Sequence, residues 1–313
     1  MRNKQIKIMV GKPTGFCFGV KRAIAIVKRE AKKAQGKNPV YTLGPIIHNN
    51  QVLKELQSLN VKIISAVSEL KQKPLAAPIV IIRSHGCAPV LVEKIKQKGC
   101  QIIDATCPYV KRVQNYAAML KNNGYYTVVV GDKNHPEVKG IIGYAGRQAQ
   151  VYDINSKFKN QKLKVNHRPV GVVAQTTISR QEFQNAVSAF SAHDYRELRI
   201  FNTLCQESQN RQNTCQNLAN NVNLMIVVGS RSSANTTSLA EIAKKSCRRV
   251  YKIENKKELN QKWFSNLCRK REKVLRIGVI AGASTPQHTV FEVTQELGSV
   301  LKNSIAGGHN NND

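Results

Sequence analysis

Short apolar runs followed by polar, turn-forming loops recur along the whole chain. Three of these runs lead into a tight loop with a cysteine and then into a helical segment: QIKIMVGKPTGFCFGVKRAIAIV, GCQIIDATCPYVKRVQNYAAML and ELRIFNTLCQESQNRQNTCQNLA. The cysteines are Cys17, Cys107 and Cys205, which are 90 and 98 residues apart. Because self-similarity at a nearly constant spacing indicates a repeated structural unit, the pattern predicts three similar α/β units.

A second apolar run in each third of the chain continues directly into a polar loop. These runs are PIVIIRSHGCAP, YTVVVGDKNHPEV and LMIVVGSRSSANT, which we interpret as equivalent strands. Two further runs, VGVVAQTTIS and IGVIAGASTP, end in hydroxyl residues, whereas the first third has VYTLGPIIHNNQ before its second strand. Strands that are apolar throughout and alternate with helices are typical of parallel sheets covered on both faces. Ligands of such sheets bind beyond the carboxyl ends of the strands, where all these loops are expected.

The repeat predicts domain boundaries as well as strands. We expect α/β domains over residues 1–101, 102–198 and 199–304, followed by a polar, disordered tail at 305–313. The chain has 313 residues, of which 41 % are hydrophobic, and this is enough for several compact units. It contains no apolar run long enough to span a membrane and begins without a signal-peptide pattern, so we predict a cytoplasmic protein.

The charge of the chain is strongly positive. The 49 Lys and Arg residues against 19 Asp and Glu give a formal net charge of +30. Such a charge favours anionic partners, including nucleic acid, acidic proteins and phosphorylated small molecules. The basic residues are dispersed and lack interleaved aromatic residues, so we expect no dedicated nucleic-acid partner.

The three repeated cysteines are candidate metal ligands. Packing of buried thiols is the alternative, but glycine, threonine and proline flank these cysteines, and such residues position backbone rather than fill a core. Thiolates bind zinc or iron-sulfur clusters, and both remain open on this evidence. For the other cysteines we expect ordinary packing or surface positions; they are Cys87, Cys100, Cys215, Cys247 and Cys268.

Three loop histidines and one glutamate add a second kind of chemistry. His48, His85 and His135 occur at strand ends that we interpret as equivalent, and with the SRSSANT and GASTP loops they predict a lining of donors for phosphate oxygens. Glu137 is a candidate proton donor, although an acid at a helix start also stabilises the helix dipole. No Walker or dinucleotide-binding glycine motif is present, so a nucleotide is not the expected phosphate carrier.

Eight motifs together resemble the 4-hydroxy-3-methylbut-2-enyl diphosphate reductase family. They occur in that family's order from about residue 7 to about residue 298: GFCFGVKRAI, GPIIHN, RSHG, DATCP, NHPEV, QTT, NTLC with NRQ, and GAS. The resemblance implies a trefoil of three α/β domains around a [4Fe-4S] cluster that is held by Cys17, Cys107 and Cys205 and has one open iron. It implies reductive removal of the substrate hydroxyl, giving isopentenyl and dimethylallyl diphosphates in the last step of the methylerythritol phosphate pathway.

The resemblance also implies a role for each matching residue. His48, His85 and His135 match positions that contact the diphosphate, and Glu137 matches the proton donor. Thr176 matches the threonine that holds the substrate hydroxyl, with Thr177 as a supporting group. The remaining substrate-binding positions are Ser233, Ala234, Asn235 and Ser284.

Two features depart from the family pattern. The family usually has Asn-Ser-Ser-Asn where this chain has Ser232-Ser233-Ala234-Asn235, so one hydroxyl donor is missing. The charge of +30 is also unusual, and it predicts an acidic electron carrier such as ferredoxin or flavodoxin. An alternative is a diverged cluster-binding relative that binds nucleic acid or senses redox state without turnover. A zinc hydrolase is a third possibility.

Overall fold

Strands and helices alternate along the chain, as the apolar pattern predicts. The computed structural model describes residues 5–35, 37–70, 77–156, 165, 167–191, 194–264 and 274–306. The described strands are β1 (Gln5–Val10), β2 (Val40–Leu43), β3 (Val61–Ile64), β4 (Ile79–Ile82), β5 (Gln101–Asp104), β6 (Tyr126–Gly131), β7 (Ala149–Asp153), β8 (Pro169–Ala174), β9 (Glu197–Ile200), β10 (Leu224–Val228), β11 (Val250–Ile253) and β12 (Val274–Ala281).

The helices connect these strands, as in other α/β proteins. They are α1 (Phe18–Ala34), α2 (Asn50–Ser58), α3 (Pro89–Gln97), α4 (Pro108–Asn122), α5 (Pro136–Ala145), α6 (Arg180–Ser191), α7 (Gln206–Ala219), α8 (Ala234–Lys244) and α9 (Gln287–Ala306). Two short 3-10 helices lie at Val67–Glu69 and Lys256–Glu258. Within the described ranges, no helix is long and apolar enough to cross a membrane.

The described strands form three four-stranded sheets with the same topology. Their strand orders are β3-β2-β4-β5, β7-β6-β8-β9 and β11-β10-β12-β1. Neighbouring strands are parallel in all three sheets. The prediction of an α/β fold with three similar, parallel-stranded units is therefore confirmed.

The first strand of the chain belongs to the last sheet. β1 pairs with β12, from Gln5 opposite Val274 to Val10 opposite Val279. The three strands that precede the repeated cysteines are β1, β5 and β9, and each lies at the edge of its sheet. β5 begins at Gln101 and pairs with β4, so the predicted boundary after residue 101 falls inside a strand of one sheet. The sheets therefore do not divide the chain at residues 101 and 198. Those domain boundaries stay a prediction.

The chain separates into two compact units, which are described here one at a time. The discontinuous unit comprises residues 1–17 and 207–313, and the continuous unit comprises residues 18–206. The discontinuous unit contains the sheet of β11, β10, β12 and β1, and the continuous unit contains the other two sheets. The predicted disordered tail is 305–313. Its first two residues belong to α9, which ends at Ala306, and the rest of it lies outside the described residues.

The sheet topology corrects one equivalence that the sequence suggested. We expected PIVIIRSHG to correspond to YTVVVGDKNHP and LMIVVGSRSS, but those segments contain β4, β6 and β10 respectively. By strand order, β4 corresponds to β8 and β12, whereas β2 corresponds to β6 and β10. Both kinds of strand are inner strands that are buried on both faces, so their apolar runs look alike in sequence.

Two-sided burial also explains why these strands form. Val128, Val129 and Val130 on β6 are fully buried, and successive residues of a strand point to opposite faces of its sheet. Burying a valine or isoleucine side chain contributes about 1.5 to 3 kcal/mol. The helices on both faces are therefore held by the same strands that carry the polar loops at their carboxyl ends.

Candidate functional site

Each repeated cysteine is fixed by the same backbone hydrogen bond. The Cys107 N–H donates to the Ser84 carbonyl at 2.9 Å, and the Cys205 N–H donates to the Thr176 carbonyl at 2.9 Å. In the discontinuous unit, the Cys17 N–H donates to the Ala283 carbonyl at 3.0 Å. The acceptors lie in the loops after the corresponding strands β4, β8 and β12. The threefold pattern read from the sequence therefore extends to single hydrogen bonds.

The three cysteines are chemically suited to bind a metal group. All three are half-buried thiols. Gly19, the second glycine of GFCFG, lies against one of them: a Cβ added to Gly19 would be 2.5 Å from the Cys107 Sγ. The Gly19 backbone, which has no side chain, therefore lies directly beside this sulfur. Such an approach is expected where space is needed for a bound group. These cysteines fit an iron-sulfur cluster as ligands.

The remaining described cysteines do not share this placement. Cys215 and Cys247 are buried in one apolar cluster of the discontinuous unit. Burial raises the pKa of the Cys215 thiol to about 12, and a neighbouring Cys247 adds to that shift. Cys87 and Cys100 pack at the edge of another apolar cluster. Ordinary packing is therefore confirmed for these four, and Cys268 lies outside the described residues.

The three histidines form one cluster in the continuous unit. The ring centroids of His48 and His85 are 5.0 Å apart, and those of His85 and His135 are 5.3 Å apart. One nitrogen from each ring lies within 4.8 Å of the others. The expectation that all three lie at equivalent strand ends is wrong: His48 and His135 follow β2 and β6, whereas His85 follows β4.

Burial keeps these imidazoles neutral. Burial, with a smaller contribution from the nearby His48, lowers the pKa of His135 to about 4. Burial also lowers the pKa of His85 well below its usual value, with His135, His48 and Arg83 adding to the shift. The pKa of His48 is lowered by burial and by the positive charge of Arg83. Because the rings are neutral near pH 7, each keeps one N–H donor and one acceptor.

Arg83 makes this cluster suitable for an anion. Its Nη1 would be 2.5 Å from a Cβ added to Gly44, whose φ of 73° also favours glycine. Three imidazoles at this separation could in principle hold a metal cation. A guanidinium beside them disfavours a second cation and favours a phosphate group, since opposite charges attract in a partly buried site.

Glu137 is buried at the start of α5, next to the histidines. The His135 Nδ1 caps this helix by accepting a hydrogen bond from the Glu137 N–H at 3.2 Å. That bond leaves the proton of the neutral His135 ring on its Nε2. The Glu137 side chain is 1 % exposed, and its Oε1 and Oε2 accept hydrogen bonds from the Thr176 N–H at 2.6 Å and the Thr176 hydroxyl at 3.0 Å.

The pKa of Glu137 is raised to about 7. Burial is the main cause, because it disfavours the charged carboxylate, and the two hydrogen bonds from Thr176 oppose it. A carboxyl with this pKa is present in both protonation states near neutral pH and can transfer a proton. Thr177, the neighbour of Thr176, accepts a hydrogen bond from Gln175 Nε2 at 3.0 Å.

The predicted residues of the discontinuous unit form their own network. Ser233 caps α8 by accepting from the Thr236 N–H, and Ala234 is the first residue of that helix. Asn235 accepts from the Ala283 N–H at 3.0 Å, and its Nδ2 donates to Ser208 at 3.5 Å. The Ala283 carbonyl in turn accepts from Cys17. Ser284, the next residue, is buried.

Arg211 is a further buried residue of the discontinuous unit, with no role predicted from the sequence. It is 0 % exposed, and its Nη1 donates to the carbonyls of Pro13 at 3.0 Å and Ala281 at 3.2 Å. Its Nη2 donates to the Gly15 carbonyl at 2.9 Å and pairs with Glu207 at 3.0 Å. Arg211 thus joins the loop that precedes Cys17 to α7 and to the end of β12. The NRQ motif contains Arg211, but its spacing alone does not show which carbonyls it binds.

Comparisons with known proteins agree with this arrangement. The sequence model of the LytB protein family matches residues 8–298. The 4-hydroxy-3-methylbut-2-enyl diphosphate reductase of Geotalea uraniireducens is 41 % identical over 297 residues, covering 95 % of this chain and 99 % of that protein. The enzyme of the same name from Aquifex aeolicus is 37 % identical over 300 residues, covering 96 % and 99 %.

Solved structures give the same result. One solved structure is that of (E)-4-hydroxy-3-methyl-but-2-enyl diphosphate reductase, the terminal enzyme of the non-mevalonate pathway. Its sequence is 37 % identical to this chain, and its TM-score is 0.62. The match covers 94 % of this chain and 100 % of that one. The structure of the E-1-hydroxy-2-methyl-but-2-enyl-4-diphosphate reductase from Plasmodium falciparum is 27 % identical in sequence, with a TM-score of 0.81. The match covers 94 % of this chain and 87 % of that one.

Proposed function

This chain belongs to the LytB protein family of oxidoreductases, and we propose that it reduces 4-hydroxy-3-methylbut-2-enyl diphosphate to isopentenyl and dimethylallyl diphosphates in the last step of the methylerythritol phosphate pathway. One C–O bond breaks and one C–H bond forms. Two electrons and two protons are consumed, and the substrate hydroxyl leaves as water.

One observation carries this proposal. Hydrogen bonds connect these residues in sequence: the Glu137 backbone N–H donates to the His135 ring, the Thr176 N–H and hydroxyl donate to the Glu137 carboxyl, and the Cys205 N–H donates to the Thr176 carbonyl. The series links a donor suited to phosphate, a carboxyl that transfers protons near neutral pH, and a candidate cluster ligand. A buried carboxyl whose pKa is raised to about 7 is more typical of a group that transfers protons than of a purely structural or nucleic-acid-binding protein.

Cys17, Cys107 and Cys205 are the proposed ligands of a [4Fe-4S] cluster at the centre of a trefoil of three domains. When bound, such a cluster supplies the electrons and one open iron for the substrate oxygen. Three thiolates rather than four leave that position open. The Gly19 backbone beside the Cys107 sulfur supports this assignment, because it leaves room that a side chain would fill.

The proposed role of the histidines is to hold the diphosphate. His48, His85 and His135 each offer one N–H donor in the neutral state, and Arg83 adds a positive charge. In the discontinuous unit, Ser233, Asn235 and Ser284 are the proposed further donors. Binding energy from this non-reacting group then positions the reacting carbon and contributes to the rate.

Glu137 is the proposed proton donor, and Thr176 is its proposed partner at the substrate hydroxyl. The Thr176 N–H and hydroxyl both contact the Glu137 carboxyl, so they fix its orientation. Protonation of the departing oxygen turns a poor leaving group into water. Thr177 is proposed to support this loop through its bond with Gln175.

Ala234 is proposed to weaken the diphosphate site without disabling the chemistry. Loss of one hydrogen bond to a charged oxygen costs about 1.5 to 3 kcal/mol of binding. Ala234 is the first residue of α8, so its backbone N–H is one of the helix N–H groups that lack an intrahelical acceptor and can bind an anion.

An acidic electron carrier such as ferredoxin or flavodoxin is the proposed source of electrons, and the cytoplasm is the proposed compartment. The net charge of +30 supports an acidic partner.

The proposed function is tested by anaerobic turnover with dithionite-reduced methyl viologen as the reductant. Mass spectrometry of the products should show loss of the hydroxyl oxygen and both five-carbon diphosphates. Recovery of unchanged substrate from cluster-loaded protein would contradict the proposal and would favour the diverged relative.

A further inference from the structure

The exposed face of α1 combines one large aromatic side chain with a row of basic ones. Phe18 begins this helix, and Lys21, Arg22, Lys28, Arg29 and Lys32 follow at helical spacing. The opposite face carries Ala23, Ile24, Ile26 and Val27, which are buried. Residues three and four positions apart lie on the same side of a helix, so the exposed set forms one surface. We call these six residues the α1 face; Arg22 and Lys28 are half-buried, and the other four are exposed.

The start of α1 lies against a proposed cluster ligand. Phe18 is 64 % exposed, which is unusual for an aromatic side chain that could pack inward. The next residue, Gly19, is the one whose added Cβ would be 2.5 Å from the Cys107 Sγ. Arg22 Nη1 donates to the Thr106 carbonyl at 3.0 Å, which holds the same helical turn against the cysteine loop. Phe18 therefore lies one residue from the contact with a ligand sulfur.

Two acids neutralise the middle of this surface, whereas no carboxylate among the described residues is paired with Lys21 or Lys32. The acid on α1 is Glu30, whose side chain is 7 % exposed and is bound by Arg29 and Lys33. Glu55, on α2, pairs with Lys28. The first turn of α1 contains no acid, and neither does the first turn of α4, which begins directly after Cys107.

The neighbouring α4 adds to the positive charge. Arg112 lies near its start, whereas the charge of the adjacent Lys111 is offset by Asp104 at 3.1 Å. The amino-terminal ends of α1 and α4 also carry partial positive charge from their helix dipoles. An acidic surface is therefore complementary to the region around Phe18 and Cys107.

We propose that the α1 face is the docking site of a small acidic electron-transfer protein, with Phe18 at the end of the contact nearest to Cys107 and the basic side chains along the rest of the helix. This inference rests on the proposed reductase function and names the surface at which its electrons enter. The carrier is oxidised by one electron in each encounter, and two encounters supply the two electrons of one turnover. The basic row accelerates association by electrostatic steering, whereas Phe18 provides desolvated contact close to the ligand.

RNA is the competing occupant of a basic helix face. Single-stranded nucleic acid is usually bound by basic grooves with several aromatic side chains on which successive bases stack. The α1 face offers one aromatic residue, at the end beside the cysteine, and basic residues for the rest of its length. This arrangement favours a protein partner with a single point of electron entry.

The test compares two variants of the α1 face with a matched control. Lys21→Glu reverses one charge beside Phe18, and Phe18→Ser removes the aromatic contact. Lys62→Glu makes the same charge change on β3. This strand is at one edge of its sheet, and β5, which precedes Cys107, is at the other edge. Lys62 is also near the amino end of its strand, whereas Cys107 follows the carboxyl end of β5. The control is therefore at the other corner of the sheet.

Two measurements are made on each cluster-loaded protein: the affinity for a reduced plant-type [2Fe-2S] ferredoxin by calorimetry, and turnover driven either by that ferredoxin or by methyl viologen. We expect Lys21→Glu and Phe18→Ser each to weaken ferredoxin affinity and ferredoxin-driven kcat/KM by about 5- to 20-fold at low salt. Viologen-driven turnover and the Lys62→Glu protein should stay within about twofold of the unmodified chain. Raising the salt should reduce the difference between Lys21→Glu and the unmodified chain.

The outcomes separate failure of the docking site from failure of the proposed function. Equal affinity of all four proteins for ferredoxin, or equal losses in Lys21→Glu and Lys62→Glu, would overturn the α1 face as the docking site. Tighter binding of an RNA 20-mer that displaces ferredoxin at physiological salt would also overturn it. Absence of viologen-driven turnover in the unmodified chain would count against the proposed function instead, and the affinities would still decide the docking site.

Discussion

Glu137 and His135 lie two residues apart, and burial changes their pKa values in opposite directions. The pKa of the Glu137 carboxyl is raised to about 7 and the pKa of the His135 imidazole is lowered to about 4, because burial disfavours the charged form of each group. At neutral pH the histidine is therefore a neutral donor, while the glutamate is close to its midpoint. The sequence places both residues in one motif, NHPEV, but their protonation states follow from the folded environment.

Replacing Glu137 tests its role in proton transfer. Glu137→Gln keeps the size of the side chain but removes the transferable proton, so we expect kcat to fall by about 100- to 10,000-fold. In the unmodified chain, kcat should fall as pH rises through about 7, since the protonated carboxyl is lost there. A pH series of kcat with viologen as reductant measures both effects. A Gln variant with nearly normal kcat would show that another group donates the proton.

The raised pKa of Glu137 also predicts a change in stability. Its folded pKa of about 7 exceeds the reference value of 4.5, so its contribution is fully present below pH 4.5 and is lost as pH rises through 7. Glu137→Gln should therefore be more stable than the unmodified chain at pH 8, by up to roughly 3 kcal/mol, with the gain shrinking towards pH 5. Thermal unfolding at the two pH values checks this, and an equal difference at both would contradict the raised pKa.

Two residues should change the affinity for a diphosphate in opposite directions. Arg83→Met removes the positive charge beside the histidines and should weaken binding of inorganic pyrophosphate by about tenfold or more. Ala234→Ser restores the hydroxyl donor usual in the family and should strengthen pyrophosphate binding, by about 10- to 100-fold. Calorimetric titration with pyrophosphate measures both, and Lys62→Met serves as the control for loss of one positive charge. Unchanged affinity in both variants would remove these positions from the diphosphate site.

At the scale of elements, the loops after corresponding strands carry corresponding residues. Gly44, Gly131 and Gly229 follow or end β2, β6 and β10, and His48, His135 and Ser233 each come four residues later. The cysteine loops and most of these residues are predictable from the sequence. The prediction for β4 matched it to the wrong strands, because a short apolar run contains no information on its position within a sheet. Hydrogen bonding between strands settles that position.

Gly19 tests whether the start of α1 must lie against Cys107. An added methyl group would be 2.5 Å from the sulfur, so Gly19→Ala should move either the helix or the thiol. We expect the iron content of reconstituted protein to fall severalfold. Gly298→Ala in α9 is the matched control, because nothing lies within 4 Å of its added Cβ. Equal iron content in the two variants would show that the close approach is not needed.

Arg211 connects three elements of the discontinuous unit. Arg211→Met leaves the carbonyls of Pro13, Gly15 and Ala281 without this donor, and each buried unsatisfied group costs about 1 to 3 kcal/mol. We expect a loss of at least about 3 kcal/mol in the free energy of unfolding, and a smaller loss for Arg211→Lys, which keeps the charge but not the planar fork. Denaturant unfolding measures both; similar stability of Met and Lys variants would contradict the carbonyl contacts.

At the scale of the whole molecule, the sequence contained most of the fold and many of the candidate site residues. Its motifs span nearly the full length, and the parallel three-sheet architecture follows from the buried strands between them. Pairing of β1 with β12 was not predictable, because it joins residues more than 260 positions apart through backbone hydrogen bonds that any apolar strand can form. The role of Arg211 depends on the same long-range pairing.

The central claim is that this chain is a reductase whose cluster is held by Cys17, Cys107 and Cys205. The most direct measurement is anaerobic iron and sulfide analysis, combined with viologen-driven turnover, of the unmodified chain, Cys107→Ser and the control Cys100→Ser. The account predicts about four iron and four sulfide per chain with turnover for the unmodified and control proteins, and loss of both in Cys107→Ser. Zinc without sulfide, or full turnover in a protein without iron, would contradict it.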